Sequence, residues 1–151
     1  MSDQSKKKPI LQLLISSKGK KNFNFLDEMF HKCDNNQFSI LLVDQTIRQK
    51  NFKPFHKKYS FIYYNIPSNG LSNSRNFAIN KSDAEICLIC DDDVVFEKNF
   101  ADIIIKAFQT ETSVDIITFR ANNTLNKLFK KYPNKTIHDY KTIAFINSFL
   151  I

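Results

Sequence analysis

The sequence has few cysteines and no long apolar run, and these two shortages limit the kinds of protein it can be. No stretch of about 18 apolar residues occurs, which argues against a transmembrane helix, and the basic N-terminus lacks the small-residue cleavage site of a signal peptide. Cys33, Cys87 and Cys90 cannot all pair within the chain, as is usual in a reducing compartment. We therefore expect a cytoplasmic protein, with peripheral contact at the inner membrane face as a further option.

Glycine is also scarce, and one of the only two glycines lies in the strongest turn signal of the chain. This signal is Ile66-Pro67-Ser68-Asn69-Gly70, and it predicts that Gly70 adopts a backbone angle that other residues avoid. After the turn, residues 71–80 are expected to form a short helix that is capped by Asn69 or Ser72.

Cys87 and Cys90 form a C-x-x-C pair, a spacing that can indicate a zinc or redox site. Both lie in the apolar run 86–90, and side chains alternate between the two faces of a strand, so residues three apart face opposite sides. We therefore expect two small buried hydrophobic residues rather than a metal or redox pair.

The charge balance is basic, with 22 Lys and Arg against 15 Asp and Glu and a net charge of +7. The lysine clusters are spread along the chain, so a solvated surface explains them as well as a polyanionic partner or an anionic membrane does. The 13% aromatic content is mostly Phe in core-like runs and forms no stacking motif for bases. No nucleic-acid partner is expected, and a basic nucleic-acid-binding protein is kept as an alternative.

The apolar pattern favours one α/β domain at residues 9–151, which follows a basic flexible tail at residues 1–8. Short continuous apolar runs predict strands buried on both faces, at residues 10–15, 38–43, 61–64, 86–90 and 114–119, with a last strand within 142–151. Apolar stripes at helical spacing predict helices at residues 26–33, 96–108 and 125–132. Strands interleaved with helices predict a three-layer fold around a mainly parallel sheet with right-handed crossovers.

Polar residues end the predicted strands, and in an open α/β sheet ligands bind outside these carboxyl ends. The first strand ends at Ser16-Ser17-Lys18, the second at Asp44, the third leads into the Gly70 turn, and the fourth ends at Asp91-Asp92-Asp93. Adjacent carboxylates repel one another, by about 1 kcal/mol at 4 Å in water, so the triplet requires compensation. A divalent cation such as Mg²⁺ or Mn²⁺ suits its hard oxygen ligands.

Arg75 lies between Leu71 and Ala78 on the stripe of the helix that faces the sheet, so its guanidinium requires an anionic or polar partner. The segment from Gly70 to Asn76 reads G-x-S-x-x-R-N, and 14 residues separate it from the acidic triplet. This combination resembles the donor half of family 2 glycosyltransferases with the GT-A fold. The resemblance runs from about residue 10 to about residue 119, and the residues Ile15-Ser16-Ser17 are similar to the subset whose first strand ends in Ser-Thr.

The resemblance implies a Rossmann-like, metal-dependent GT-A domain that moves a hexose from a UDP- or GDP-type sugar to a glycan or other acceptor in polysaccharide biosynthesis. It implies that five residues bind the nucleotide sugar, namely Ser16, Asp44, Arg75, Asp91 and Asp92. Asp44 would receive the base with Ser16 nearby, and Arg75 would help hold the pocket and the acidic loop. Asp91 and Asp93 would bind Mn²⁺ or Mg²⁺, with Asp93 as the main ligand.

The resemblance also divides the domain into a donor half at residues 9–121 and the start of an acceptor half at 122–151, so the segment that supplies the general base in the family is expected to be missing. The catalytic base is unassigned, and His138-Asp139 is the only late pair that could serve. The alternative is a non-catalytic, truncated relative that binds only nucleotide and metal.

Overall fold

A computed structural model of the chain describes residues 9–33, 37–67, 69–120 and 143–147. The elements in chain order are β1 (Leu11–Ser17), α1 (Phe25–Phe30), β2 (Ser39–Asp44), β3 (Ile62–Asn65), α2 (Leu71–Lys81), β4 (Ile86–Asp91), α3 (Phe100–Thr110), β5 (Ile116–Arg120) and β6 (Ile143–Asn147). Strands and helices occur in each predicted segment that lies within the described residues.

The six strands form one sheet with the order β3-β2-β1-β4-β6-β5, and every pair of neighbours is parallel. The prediction of an α/β fold with a mainly parallel sheet is therefore confirmed. The chain proceeds outward from β1 through β2 to β3, and then returns to the other side of β1 as β4. The strand order thus reverses between β1 and β4, which is the position where open α/β sheets bind ligands.

The sheet is covered on both faces, as the continuous apolar runs predict. A large cluster on one face includes Leu13 of β1 together with buried residues of α1 and α3, whereas a small cluster on the other face includes Leu14 of β1 and Ala78 of α2. Burial of one Leu or Phe side chain stabilises a fold by about 2 kcal/mol, so the large cluster contributes more burial energy than the small one.

Two helix starts differ from the predictions. Gly70 has the expected positive φ, +109°, but it is itself the N-cap of α2, and neither Asn69 nor Ser72 supplies a capping hydrogen bond. Helix α3 begins at Phe100 rather than Phe96, because Asn99 adopts a left-handed conformation (φ 64°) that a helix cannot include.

Three of the predicted segments lie wholly or partly outside the described residues. These are the basic tail at 1–8, the helix at 125–132, and all but residues 143–147 of the last strand. The predicted boundary between the two halves, at residues 121 and 122, also lies outside them, so the division of the domain stays a prediction.

Candidate functional site

The carboxyl ends of β1, β2, β3 and β4 lie side by side along one edge of the sheet, which we call the rim. The strand register pairs Ser16 with Asp91, Ser17 with Asp44, and Asp44 with Asn65. The candidate residues at the ends of β1, β2 and β4 therefore converge as predicted, at the point where the strand order reverses.

The plane of the sheet divides the rim residues into two groups. Leu14 and Ile89 belong to the small cluster beneath α2, and Ser16 and Asp91 follow them by two residues, so both continue on the α2 face. Ile15 and Leu42 belong to the large cluster, so Ser17 and Asp44 continue on the opposite face. Ser16 thus lies beside Asp91 rather than beside Asp44.

On the α2 face, Arg75 contacts the first residue of the acidic triplet. Its Nη2 donates a hydrogen bond to Asp91 Oδ1 at 2.8 Å, and both side chains are partly exposed. The predicted anionic partner of this arginine is therefore Asp91. Within the described part of the chain, Arg75 Nε and Ser16 Oγ are buried and have no hydrogen-bond partner, so two buried polar atoms are available at this end of the rim.

On the other face, Asp44 is completely buried and its carboxylate is already bound by the protein. Arg48 Nε and the Tyr63 hydroxyl both donate to Oδ2, the latter at 3.0 Å, and the Thr46 amide donates to Oδ1 at 2.9 Å. The Arg48 guanidinium also lies over the Phe52 ring, 4.3 Å from its centroid. These contacts compensate the burial of the charge, because an unpaired carboxylate would be costly in this position.

The three residues of the acidic triplet have different surroundings. Asp92 Oδ2 accepts a 2.7 Å hydrogen bond from Ser17 Oγ, and Lys20 Nζ lies 3.6 Å from Oδ1. Burial raises the pKa of Asp92, and the contacts with Ser17 and Lys20 partly oppose that rise. Asp93 is exposed and makes no hydrogen bond or ion pair with the residues that the structure describes.

The repulsion expected within the triplet is therefore partly compensated by the protein itself, through Arg75 at Asp91 and Lys20 at Asp92. Among the described residues, no group of three or more His, Cys, Asp or Glu side chains could hold a metal ion. Asp91 and Asp93 can offer carboxylate oxygens, and two such ligands fit a hard divalent ion that completes its shell with water and phosphate oxygens.

The cysteine pair does not contribute to a site. Cys87 belongs to the small cluster and Cys90 to the large one, so they lie on opposite faces of β4, and both are buried. This confirms the prediction of two small core residues. His138 and Asp139, the pair that could serve as the catalytic base, lie outside the described residues.

Three rim residues were not predicted from the sequence, namely Lys20, Arg48 and Tyr63, and Ser17 was placed at the end of β1 without its partner. Arg48 could have been found, because it stands four residues after Asp44 and has the opposite charge. The contact between Ser17 and Asp92 joins residues 75 positions apart, and it requires knowledge of which strands are neighbours.

Comparison with known proteins shows the family of the chain and a solved structure of similar fold. The sequence matches the family described as glycosyl transferase family 2 over residues 17–149. A crystal structure of S. aureus TarS is similar in fold, with a TM-score of 0.52 and 16% sequence identity, and the alignment covers 80% of this chain and 24% of TarS. This chain therefore spans about a quarter of that protein.

No curated protein matches the sequence. Within the described residues, no helix has both the length and the apolar character needed to cross a membrane. The family match extends over most of the chain and includes the rim residues from Ser17 to Asp93. The chain therefore belongs to glycosyl transferase family 2.

Proposed function

We propose that the rim binds a nucleotide-diphosphate sugar, of the UDP or GDP type, for transfer of a hexose to a glycan or another acceptor. The observation that carries this proposal is the convergence of Ser16, Asp44, Arg75, Asp91 and Asp92 at the reversal of strand order, in a chain of this family. The same proposal includes a glycan acceptor, a role in polysaccharide biosynthesis and a cytoplasmic location. The net charge of +7 supports a peripheral contact with an anionic membrane surface.

Asp91 and Asp93 would hold Mn²⁺ or Mg²⁺ against the diphosphate, with Asp93 as the main ligand because it has no competing partner among the described residues. The bound ion would neutralise the charge that develops on the leaving diphosphate. Arg75 holds the Asp91 carboxylate in a defined orientation through their 2.8 Å hydrogen bond.

Asp44 would accept a hydrogen bond from the base. A carboxylate offers about four acceptor positions, and three are used by Arg48, Tyr63 and Thr46, so Oδ1 retains one. Asp44 is fully buried, and therefore the base reaches it only when the segment that follows β2 shifts. Ser16 would lie on the other side of the sheet, nearer to the diphosphate than to the base.

The test is calorimetric titration with UDP and with GDP, each with and without Mn²⁺. We expect one nucleotide to bind, and its affinity to rise with Mn²⁺ in the wild type and not in Asp93→Ala. The matched control is Asp83→Ala, which removes an exposed carboxylate before β4, at the opposite edge of the sheet. Absence of binding to both nucleotides would overturn the proposal, whereas binding without transfer or hydrolysis of a nucleotide sugar would support the binding-only alternative.

A further inference from the structure

The last residue of β1 and the segment that follows it are attached to three neighbouring parts of the rim. Ser17 Oγ donates to Asp92 after β4, the Gly19 amide donates to Thr46 Oγ1 after β2 at 2.8 Å, and Lys18 Nζ donates to Asn69 Oδ1 in the turn before α2 at 2.6 Å. We call residues 18–21 the basic loop, since it contains Lys18, Lys20 and Lys21.

The basic loop places two ammonium groups at defined positions on the rim. Gly19 lies between them with φ +80°, a conformation that other residues rarely adopt, and its amide contact fixes the loop to the end of β2. Lys18 is directed to the Gly70 turn by Asn69, and Lys20 to the acidic triplet by Asp92. Lys21 is exposed and has no contact of this kind among the described residues.

The present contacts of both lysines are with a neutral or a distant partner, and Lys20 Nζ also lies 5.6 Å from the centroid of the Phe25 ring. Asn69 offers Lys18 only a neutral amide oxygen, and the 3.6 Å separation between Lys20 Nζ and Asp92 Oδ1 exceeds the usual length of a charge-assisted hydrogen bond. A diphosphate spreads two or more negative charges over several oxygens, so it attracts an ammonium group more strongly than a neutral amide does and can be contacted by both lysines at once. An anion that arrives between the acidic triplet and the Gly70 turn would therefore attract both ammonium groups.

We propose that Lys18 and Lys20 bind the diphosphate of the donor, and that Asn69 and Asp92 are positioning residues that hold these lysines in place before the donor arrives. The inference rests on the proposed function and adds to it a protein contact with the phosphates besides the divalent ion. It also gives Asp92 a role distinct from that of Asp91 and Asp93, because its contacts are directed to Ser17 and Lys20.

The test compares the double variant Lys18→Met/Lys20→Met with Lys21→Met, which removes a neighbouring charge of the same kind. Each protein is titrated with the nucleoside diphosphate that the wild type binds, UDP or GDP, and with the matching monophosphate, at fixed ionic strength. We expect the diphosphate affinity to fall about tenfold for each lysine removed, since each loses one charge-assisted hydrogen bond. The monophosphate affinity should fall less, so the ratio of the two affinities decreases.

If the basic loop has only a structural role, the double variant should lose affinity for both ligands equally. The ratio of diphosphate to monophosphate affinity would then stay unchanged, and the inference would be overturned. The same conclusion follows if the double variant binds the diphosphate as Lys21→Met does. The charge-conserving variant Lys18→Arg/Lys20→Arg should retain most of the affinity. If the wild type binds neither UDP nor GDP, the proposed function itself fails. If the wild type binds and the double variant binds equally well, only the inference about Lys18 and Lys20 fails.

Discussion

The guanidinium of Arg48 donates from Nε to the carboxylate of Asp44 at the end of β2, and it covers one face of the Phe52 ring. Phe52 packs against the large cluster, so this ion pair connects a rim carboxylate to the hydrophobic core. The conformation of the segment that follows β2 is therefore coupled to the charge of Asp44, and changes at either residue should affect both stability and base binding.

Removal of Arg48 should be strongly destabilising. In Arg48→Met the Asp44 carboxylate stays fully buried and loses its only cationic partner among the described residues, so we expect the free energy of unfolding to fall by about 3–5 kcal/mol. Urea denaturation measures this loss. Lys50→Met is the control, because Lys50 is exposed nearby on the same segment. A loss below about 1 kcal/mol, typical of a surface pair, would contradict the assignment.

Tyr63 should ionise later than an ordinary tyrosine. Burial, followed by the hydrogen bond to Asp44, raises its pKa from 10.0 to about 12. The folded state prefers the neutral phenol of Tyr63. The stabilisation that results is therefore complete below pH 10 and is lost as the pH rises toward 12.

Spectrophotometric titration of tyrosinate in wild type and Tyr63→Phe measures this pKa by difference. The expected late step near pH 12 should be absent from the variant, and the stability of the variant should depend less on pH between 10 and 12. A step near pH 10 that disappears in Tyr63→Phe would show that Tyr63 is not held by Asp44.

Asp92→Asn should stabilise the protein at neutral pH. Burial raises the pKa of Asp92, so the folded state favours the neutral acid, and its stability decreases as the pH rises through that pKa. Asparagine is neutral at every pH, and its side-chain oxygen can still accept the hydrogen bond from Ser17.

Thermal unfolding of wild type and Asp92→Asn from pH 3 to pH 7 tests this expectation. The variant should have the higher Tm at pH 7, and the difference should shrink toward pH 3, where the aspartate is protonated. Asp83→Asn is the matched control because Asp83 is exposed and lies before β4, away from Asp92. A lower Tm for Asp92→Asn at pH 7 would mean that the contacts with Ser17 and Lys20 outweigh the cost of burying the charge.

Sequence patterns predicted the central strands well because β1, β2 and β4 are buried on both faces and therefore read as continuous apolar runs. They failed at the start of α3, where Phe96 continues the apolar stripe but the left-handed Asn99 separates it from the helix. For the site, strand ends identified Asp44 and Asp91. The contact of Asp91 with Arg75 depends on how α2 lies on the sheet, which periodicity alone does not provide, whereas the contact of Asp44 with Arg48 joins residues only four positions apart.

The ion pair between Arg75 and Asp91 should matter for binding more than for stability. Both side chains are partly exposed, so its loss in Arg75→Met should reduce the free energy of unfolding by less than about 1 kcal/mol. The Asp91 carboxylate would lose the donor that orients it, and we expect the Mn²⁺-dependent gain in nucleotide affinity to fall about tenfold.

Calorimetry with and without Mn²⁺ measures that gain, and urea denaturation measures the stability of the same samples. Lys81→Met is the control, because it removes a cation from the other end of α2, where Lys81 lies 5.7 Å from the centroid of the Phe77 ring. Equal Mn²⁺-dependent gains in the two variants would show that Arg75 does not position Asp91. A large loss of stability in Arg75→Met alone would instead assign the arginine to the packing of α2 on the sheet.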